Sequence, residues 1–143
     1  MIVKTTRFGE IEINENRIIH FSEGLAGFPE DKKYFILEHK PESPFMWLQS
    51  LASPGLAFVI MNPFLVYPEY LEDMSPEEEN ALKPGVNETV MIFAIVTIPG
   101  GRAGDSTINL MGPIVIDPEA KEGKQVILAN SGYNHRHPLD LKK

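Results

Sequence analysis

Short runs of β-branched and aromatic residues, separated by Gly, Pro and Asn and accompanied by a single clear helix start, restrict this chain to a sheet-based fold. The runs fall at residues 9–13, 17–21, 34–38, 46–50, 57–61, 89–98, 108–111, 114–116 and 125–128. In Glu10-Ile11-Glu12-Ile13 the period of two sets both isoleucines on one face of a half-buried strand and both glutamates on the other. Asn14-Glu15-Asn16 offers residues that tolerate positive φ, so residues 9–21 are expected to form a hairpin with a three-residue connection. The 12 prolines fall mostly between the runs, where a missing amide donor breaks no ladder.

The helix start is Ser75-Pro76-Glu77-Glu78, a capping hydroxyl followed by Pro at the first helical position and Glu three residues after the cap. Lys83-Pro84-Gly85 stops that helix within about two turns. Parallel strands need crossover connections, usually helical, so one short helix among many strands implies antiparallel pairing. The expected architecture is all-β, a small antiparallel β-barrel-like domain over residues 1–143 with one short helix, closed so that no long edge is exposed.

Charge and cysteine usage narrow the chemistry. Lys and Arg number 13 against 20 Asp and Glu, a formal charge of −7 that argues against direct nucleic-acid binding. The absence of cysteine excludes disulfides, thiolate metal sites and a Cys nucleophile. Met1-Ile2-Val3-Lys4-Thr5 runs straight into strand-like sequence with no secretory signal, and no apolar run nears the roughly 20 residues that span a bilayer, so a cytoplasmic protein without membrane contact is expected.

No catalytic pattern emerges. Residues 100–107 are glycine-rich but lack a Gly-Lys-Ser/Thr ending and a following helix, so they are read as a loop joining two strands. The serines have no Gly-x-Ser-x-Gly setting. His135 and His137 have the spacing that places two imidazoles on one strand face, yet no third ligand stands at a supporting spacing, and neither a metal nor a cofactor is expected.

Two clusters suit macromolecular contact instead. Residues 69–79 carry Glu69, Glu72, Asp73, Glu77, Glu78 and Glu79 with no Lys or Arg, beside Phe64, Tyr67 and Tyr70. Such a stretch is either a solvated face or a docking patch in which acids steer a basic partner and aromatics anchor it. In Pro44-Phe45-Met46-Trp47-Leu48, a strand sets Phe45 and Trp47 on one face and Met46 and Leu48 on the other, leaving one apolar face for a neighbouring loop or a partner.

Read in order, Gly24-Leu25-Ala26-Gly27-Phe28, Pro44-Phe45-Met46-Trp47-Leu48-Gln49-Ser50-Leu51, Ala57-Phe58-Val59-Ile60-Met61-Asn62-Pro63, Ile95-Val96-Thr97-Ile98-Pro99, the run from Thr107 to Ile116 containing Asn109-Leu110-Met111-Gly112-Pro113, and Gln125-Val126-Ile127-Leu128 resemble the FliW family of flagellar assembly factors. Ala52-Ser53-Pro54 departs from the acidic residues the family often carries there. The resemblance implies a small β-barrel that catalyses nothing and takes part in a partner switch. Free FliW antagonises the translational repressor CsrA, and newly made flagellin captures FliW and frees CsrA. On this reading Glu72, Asp73, Glu77 and Glu78 steer CsrA, Phe45, Trp47, Phe64 and Tyr70 serve as partner anchors, and flagellin offers an amphipathic helix to an apolar groove or face. The residues alone leave two alternatives open: a small-ligand-binding barrel and a metal-assisted hydrolase using His135 and His137.

Overall fold

The structure, a computed structural model, describes residues 1–38, 43–72, 90–100, 103–128 and 131–139. Within them lie strands β1 (Ile2–Thr5), β2 (Gly9–Glu12), β3 (Ile19–Phe21), β4 (Lys33–Glu38), β5 (Met46–Ser50), β6 (Ala57–Met61), β7 (Met91–Thr97), β8 (Thr107–Ile108), β9 (Ile114–Asp117), β10 (Glu122–Gln125) and β11 (His137–Pro138). Three short 3-10 turns accompany them, at Glu15–Arg17, Pro63–Leu65 and Ala103–Asp105. The helix expected from Ser75 lies outside the described residues.

Seven strands close a barrel in the order β7-β6-β5-β4-β3-β10-β9, with β9 returning to β7. Pairing is antiparallel around the ring except at one seam, where β10 runs parallel to β3 with Gly123 opposite Phe21. That parallel pair is a departure from the all-antiparallel expectation. It needs no crossover helix because the intervening strands of the barrel themselves return the chain. β7 serves two neighbours along one edge: Met91–Phe93 pairs with β9, and Val96 and Thr97 pair with β8, which in turn carries β11.

Inside the barrel, Ile19, Phe21, Leu25, Tyr34, Leu48, Ile60, Phe93, Ile114 and Ile116 form one buried cluster. Burying each such side chain contributes about 1.5–3 kcal/mol before conformational entropy is subtracted. Strand alternation sends the other residues outward, where three covers meet them, one of them Val126 and Leu128 packed with Val115 of β9. Val3 and Ile13 bury Phe35 of β4, and partly buried Ile11 and Leu37 join them. Across the molecule, Tyr70 and Leu139 bury Met61, Ala94, Val96, Ile108 and Leu110.

The expected hairpin over residues 9–21 does not form. β2 turns back on β1 instead, pairing Ile2 with Glu12 and Thr5 with Gly9. Gly9 supplies a φ of +70° at that turn, and the Thr5 hydroxyl accepts from the Phe8 N–H at 2.8 Å and donates to the Gly9 carbonyl at 2.8 Å. Asn14 takes a different role: its side chain accepts from the Asn16 N–H and caps the 3-10 turn that redirects the chain into β3. The alternation of β2 holds, with Ile13 buried, Ile11 half-buried, and Glu10 and Glu12 exposed.

Candidate partner-binding surface

β5 splits its aromatic run as strand periodicity requires. Met46 packs against the barrel interior, where Leu48 is buried, while Phe45 and Trp47 project outward. Trp47 lies between Leu37 of β4 and Val59 of β6 in the ladder and is half-buried. The turn after β1 partly covers it. Phe8 meets the indole edge to face, with centroids 5.7 Å apart, and the Arg7 guanidinium carbon sits 4.3 Å from the ring centroid. Phe45, Val59 and Phe64 are half-buried around the second outer cluster. An apolar strip thus runs over the outside of β5 and β6, from Trp47 across Val59 to Phe45 and Phe64.

The far end of the strip is built from the turn after β6. Asn62 accepts from the Phe64 N–H at 2.9 Å and caps the Pro63–Leu65 turn, leaving Leu65 62% exposed. The Phe64 ring stands 5.7 Å from Tyr70, Tyr70 stands 4.8 Å from Tyr133, and Tyr67 lies between Tyr133 at 6.0 Å and His137 at 5.8 Å. Tyr133 also accepts from the Leu71 N–H at 2.8 Å, pinning Leu71 at a φ of +70°.

Tyr70 is only 1% exposed, and its hydroxyl donates to the buried Leu110 carbonyl. It therefore stands beneath the surface and supports Phe64 and Tyr67, rather than offering its own ring to a partner. Burial pushes its phenol well above the ordinary tyrosine range, with Tyr133 adding to the shift.

Of the acids singled out in the sequence, Glu72 is exposed beside exposed Glu69, and the Glu72 N–H donates to the Glu69 carbonyl at 3.2 Å. Asp73, Glu77 and Glu78 lie outside the described residues. The two histidines do not share a strand face: His135 is exposed in the turn before β11, and only His137 belongs to the strand. Among the described residues, no three His, Asp or Glu side chains converge as a metal would require. β7 and β8, which flank the glycine-rich stretch in sequence, pair antiparallel.

Ser53, in the turn after β5, donates its hydroxyl to Asp31 Oδ1 at 2.8 Å, and Ser50 donates to the same oxygen at 3.3 Å. The acid at this turn is thus supplied by Asp31, from the segment before β4. Sequence reasoning missed Arg7, Phe8, Val59 and Tyr133. Val59 was legible as an outward position once its strand was recognised, whereas Arg7 and Phe8 reach Trp47 only because β1 and β2 fold back over β4.

Residues 2–139 match the family model described as FliW protein. The chain is 37% identical over 139 residues to the flagellar assembly factor FliW of Natranaerobius thermophilus, covering 97% of this chain and 92% of that one. It is 41% identical over 142 residues to the protein of the same name from Moorella thermoacetica, covering 97% and 88%. A solved structure described as the crystal structure of the flagellar assembly factor FliW superposes with a TM-score of 0.84 at 36% identity, over 100% of this chain and 99% of the other.

Proposed function

The chain belongs to the FliW family, and from that premise we propose that it is a non-catalytic cytoplasmic assembly factor that binds flagellin on the outer strip of β5 and β6 and antagonises CsrA through an acidic surface. The observation that carries the reading is the strip itself. Phe45, Trp47, Val59 and Phe64 remain only half-buried on the outer face of the sheet. An amphipathic helix could complete that burial with apolar residues at i, i+3, i+4 and i+7. No flagellin bond need be made or broken.

Glu69 and Glu72 begin an acidic run that continues in sequence through Asp73, Glu77, Glu78 and Glu79. Acids of this density favour encounter with a basic, RNA-binding partner and repel its RNA. If the two partners are coupled, each must lower the other's affinity by the same factor.

The experiment is to mix the purified protein with flagellin and with CsrA, separately and then together, measuring association rates at low and moderate salt. Trp47→Ala should weaken flagellin more than CsrA. Reversing Glu72, Asp73, Glu77 and Glu78 to Lys should slow CsrA association and flatten its salt dependence, with flagellin affected less. Unchanged flagellin binding in folded Trp47→Ala protein would exclude the strip as its site. Unchanged CsrA binding in the folded quadruple variant would reduce the acidic run to a solvated face.

The barrel interior is occupied by Phe21, Tyr34, Leu48, Ile60 and Ile114, all fully buried, which disfavours the rival reading of a central ligand chamber.

A further inference from the structure

At the Trp47 end of the strip the surface changes character. A cavity of about 270 Å³ opens between the turn after β1 and the turn joining β5 to β6, lined by Thr6, Arg7, Gln49, Pro54, Gly55 and Ala57. Ala57 and Gln49 are cross-strand partners two pairs beyond Trp47 and Val59, the next pair on the same face, so the cavity continues the strip along the same strands. The Thr6 N–H donates to the Pro54 carbonyl at 2.9 Å and holds the two walls together.

Gln49 is fully buried. Its Nε2 lies 3.1 Å from the Ser50 carbonyl, 3.2 Å from those of Pro54 and Leu56, and 3.5 Å from that of Ser53. Four acceptors around one atom fix which end of the amide is nitrogen, because an oxygen there would face only other oxygens. The other end, Oε1, is buried and has no hydrogen-bond donor. An unmet acceptor of this kind costs free energy unless something supplies an N–H or O–H. Beside it, the exposed Arg7 guanidinium stacks near the Trp47 ring, an arrangement that orients a planar set of donors while leaving its edge available to a carboxylate.

Gln49 and Arg7 both line this cavity, and a donor-seeking buried oxygen on one with a cation on the other call for a group that carries an N–H and a carboxylate a few bonds apart. We infer that this cavity receives an acidic residue of the protein segment that docks on the strip, its carboxylate on Arg7 and an N–H on Gln49 Oε1. The inference rests on the reading of the strip as a docking surface and adds a requirement to it: the partner's apolar face must be followed by Asp or Glu. The occupant is chosen by charge, since Arg7 is a positive group beside an apolar surface in a chain of net charge −7.

N-acetyl-glutamate N-methylamide isolates that chemistry, and N-acetyl-glutamine N-methylamide removes only the charge. Trp47 is the sole tryptophan, so its fluorescence reports the site without ambiguity, and the Thr6, Gly55 and Ala57 amides report it by NMR. The glutamate probe should shift these signals saturably, the glutamine probe should bind about tenfold more weakly, and Arg7→Gln should abolish the difference. Equal binding of the two probes, no saturable shift, or an undiminished preference in Arg7→Gln protein would overturn the inference. Flagellin binding, measured in parallel, keeps the two ideas apart. If flagellin binds but the probes show no preference for charge, the cavity inference fails and the strip stands. If flagellin binding ignores Trp47, the strip fails whatever the probes do.

Discussion

Gly123→Ala tests the parallel seam directly. Gly123 is buried in β10 opposite Phe21 of β3, and a Cβ built on it would lie 2.6 Å from two carbons of the Phe21 ring and 3.1 Å from a third. Replacing a strand glycine with alanine would ordinarily stabilise by about 0.4–1 kcal/mol through the unfolded chain. Here the ring has nowhere to retreat: Phe21 is fully buried and meets Tyr34 edge to face at 5.3 Å. Overpacking of this kind costs about 1–3 kcal/mol, so the steric term should win and the variant should be destabilised. Urea unfolding at unchanged m-value measures the loss. Phe21→Leu removes the ring edge, so the double variant should be more stable than the sum of the two single losses by about 1 kcal/mol. A Gly123→Ala protein as stable as wild type, or strict additivity with Phe21→Leu, would refute the argument that this ring is what reserves the position for glycine.

Other outcomes follow from the tyrosines and histidines. Tyr70→Phe should destabilise by about 1–3 kcal/mol in thermal or urea unfolding, because it strands the buried Leu110 carbonyl, whereas Tyr34→Phe should be neutral or stabilising, since the buried Tyr34 hydroxyl has no hydrogen-bond partner. Burial, with a smaller contribution from Asp31, pushes the Tyr34 phenol up to about 12. Between the ordinary value of 10.0 and that point the unfolded chain loses the proton while the folded chain keeps it. Stability should therefore fall as pH rises through this window, and less steeply in Tyr34→Phe. Replacing His135 and His137 together with Ala should leave flagellin and CsrA binding within about threefold, a small free-energy change. Loss of binding together with loss of a stoichiometric metal from the folded double variant would show that the histidines matter.

Periodicity was enough to place most strands within a few residues, because alternation records which side chains must leave water. The split of Phe45 and Trp47 from Met46 and Leu48 was likewise readable from the period of two. Pairing was harder. Asn14-Glu15-Asn16 has the chemistry of a hairpin turn, but the same residues also cap a 3-10 turn, and the choice was made by Val3 and Ile13 closing over Phe35. Tyr70 looked like a surface anchor because an acidic neighbourhood is usually exposed. Its burial depends on Tyr133 and Leu110, which are distant in the chain and leave no local mark. Arg7 was invisible for the same reason.

The parallel seam also bears on how the protein comes to be made. His20 pairs with Glu122, roughly a hundred positions later, and contacts of such span form slowly because the loop must be closed before the pairing rewards it. During synthesis β3 to β7 can pair with their sequential neighbours as they emerge, yet the free side of β3 stays open until β10 leaves the ribosome. A nascent chain stalled or truncated before Glu122 would present that edge to other chains, a ready template for aggregation. Emergence of β10 is thus the event that converts a pairing-prone ribbon into a closed ring.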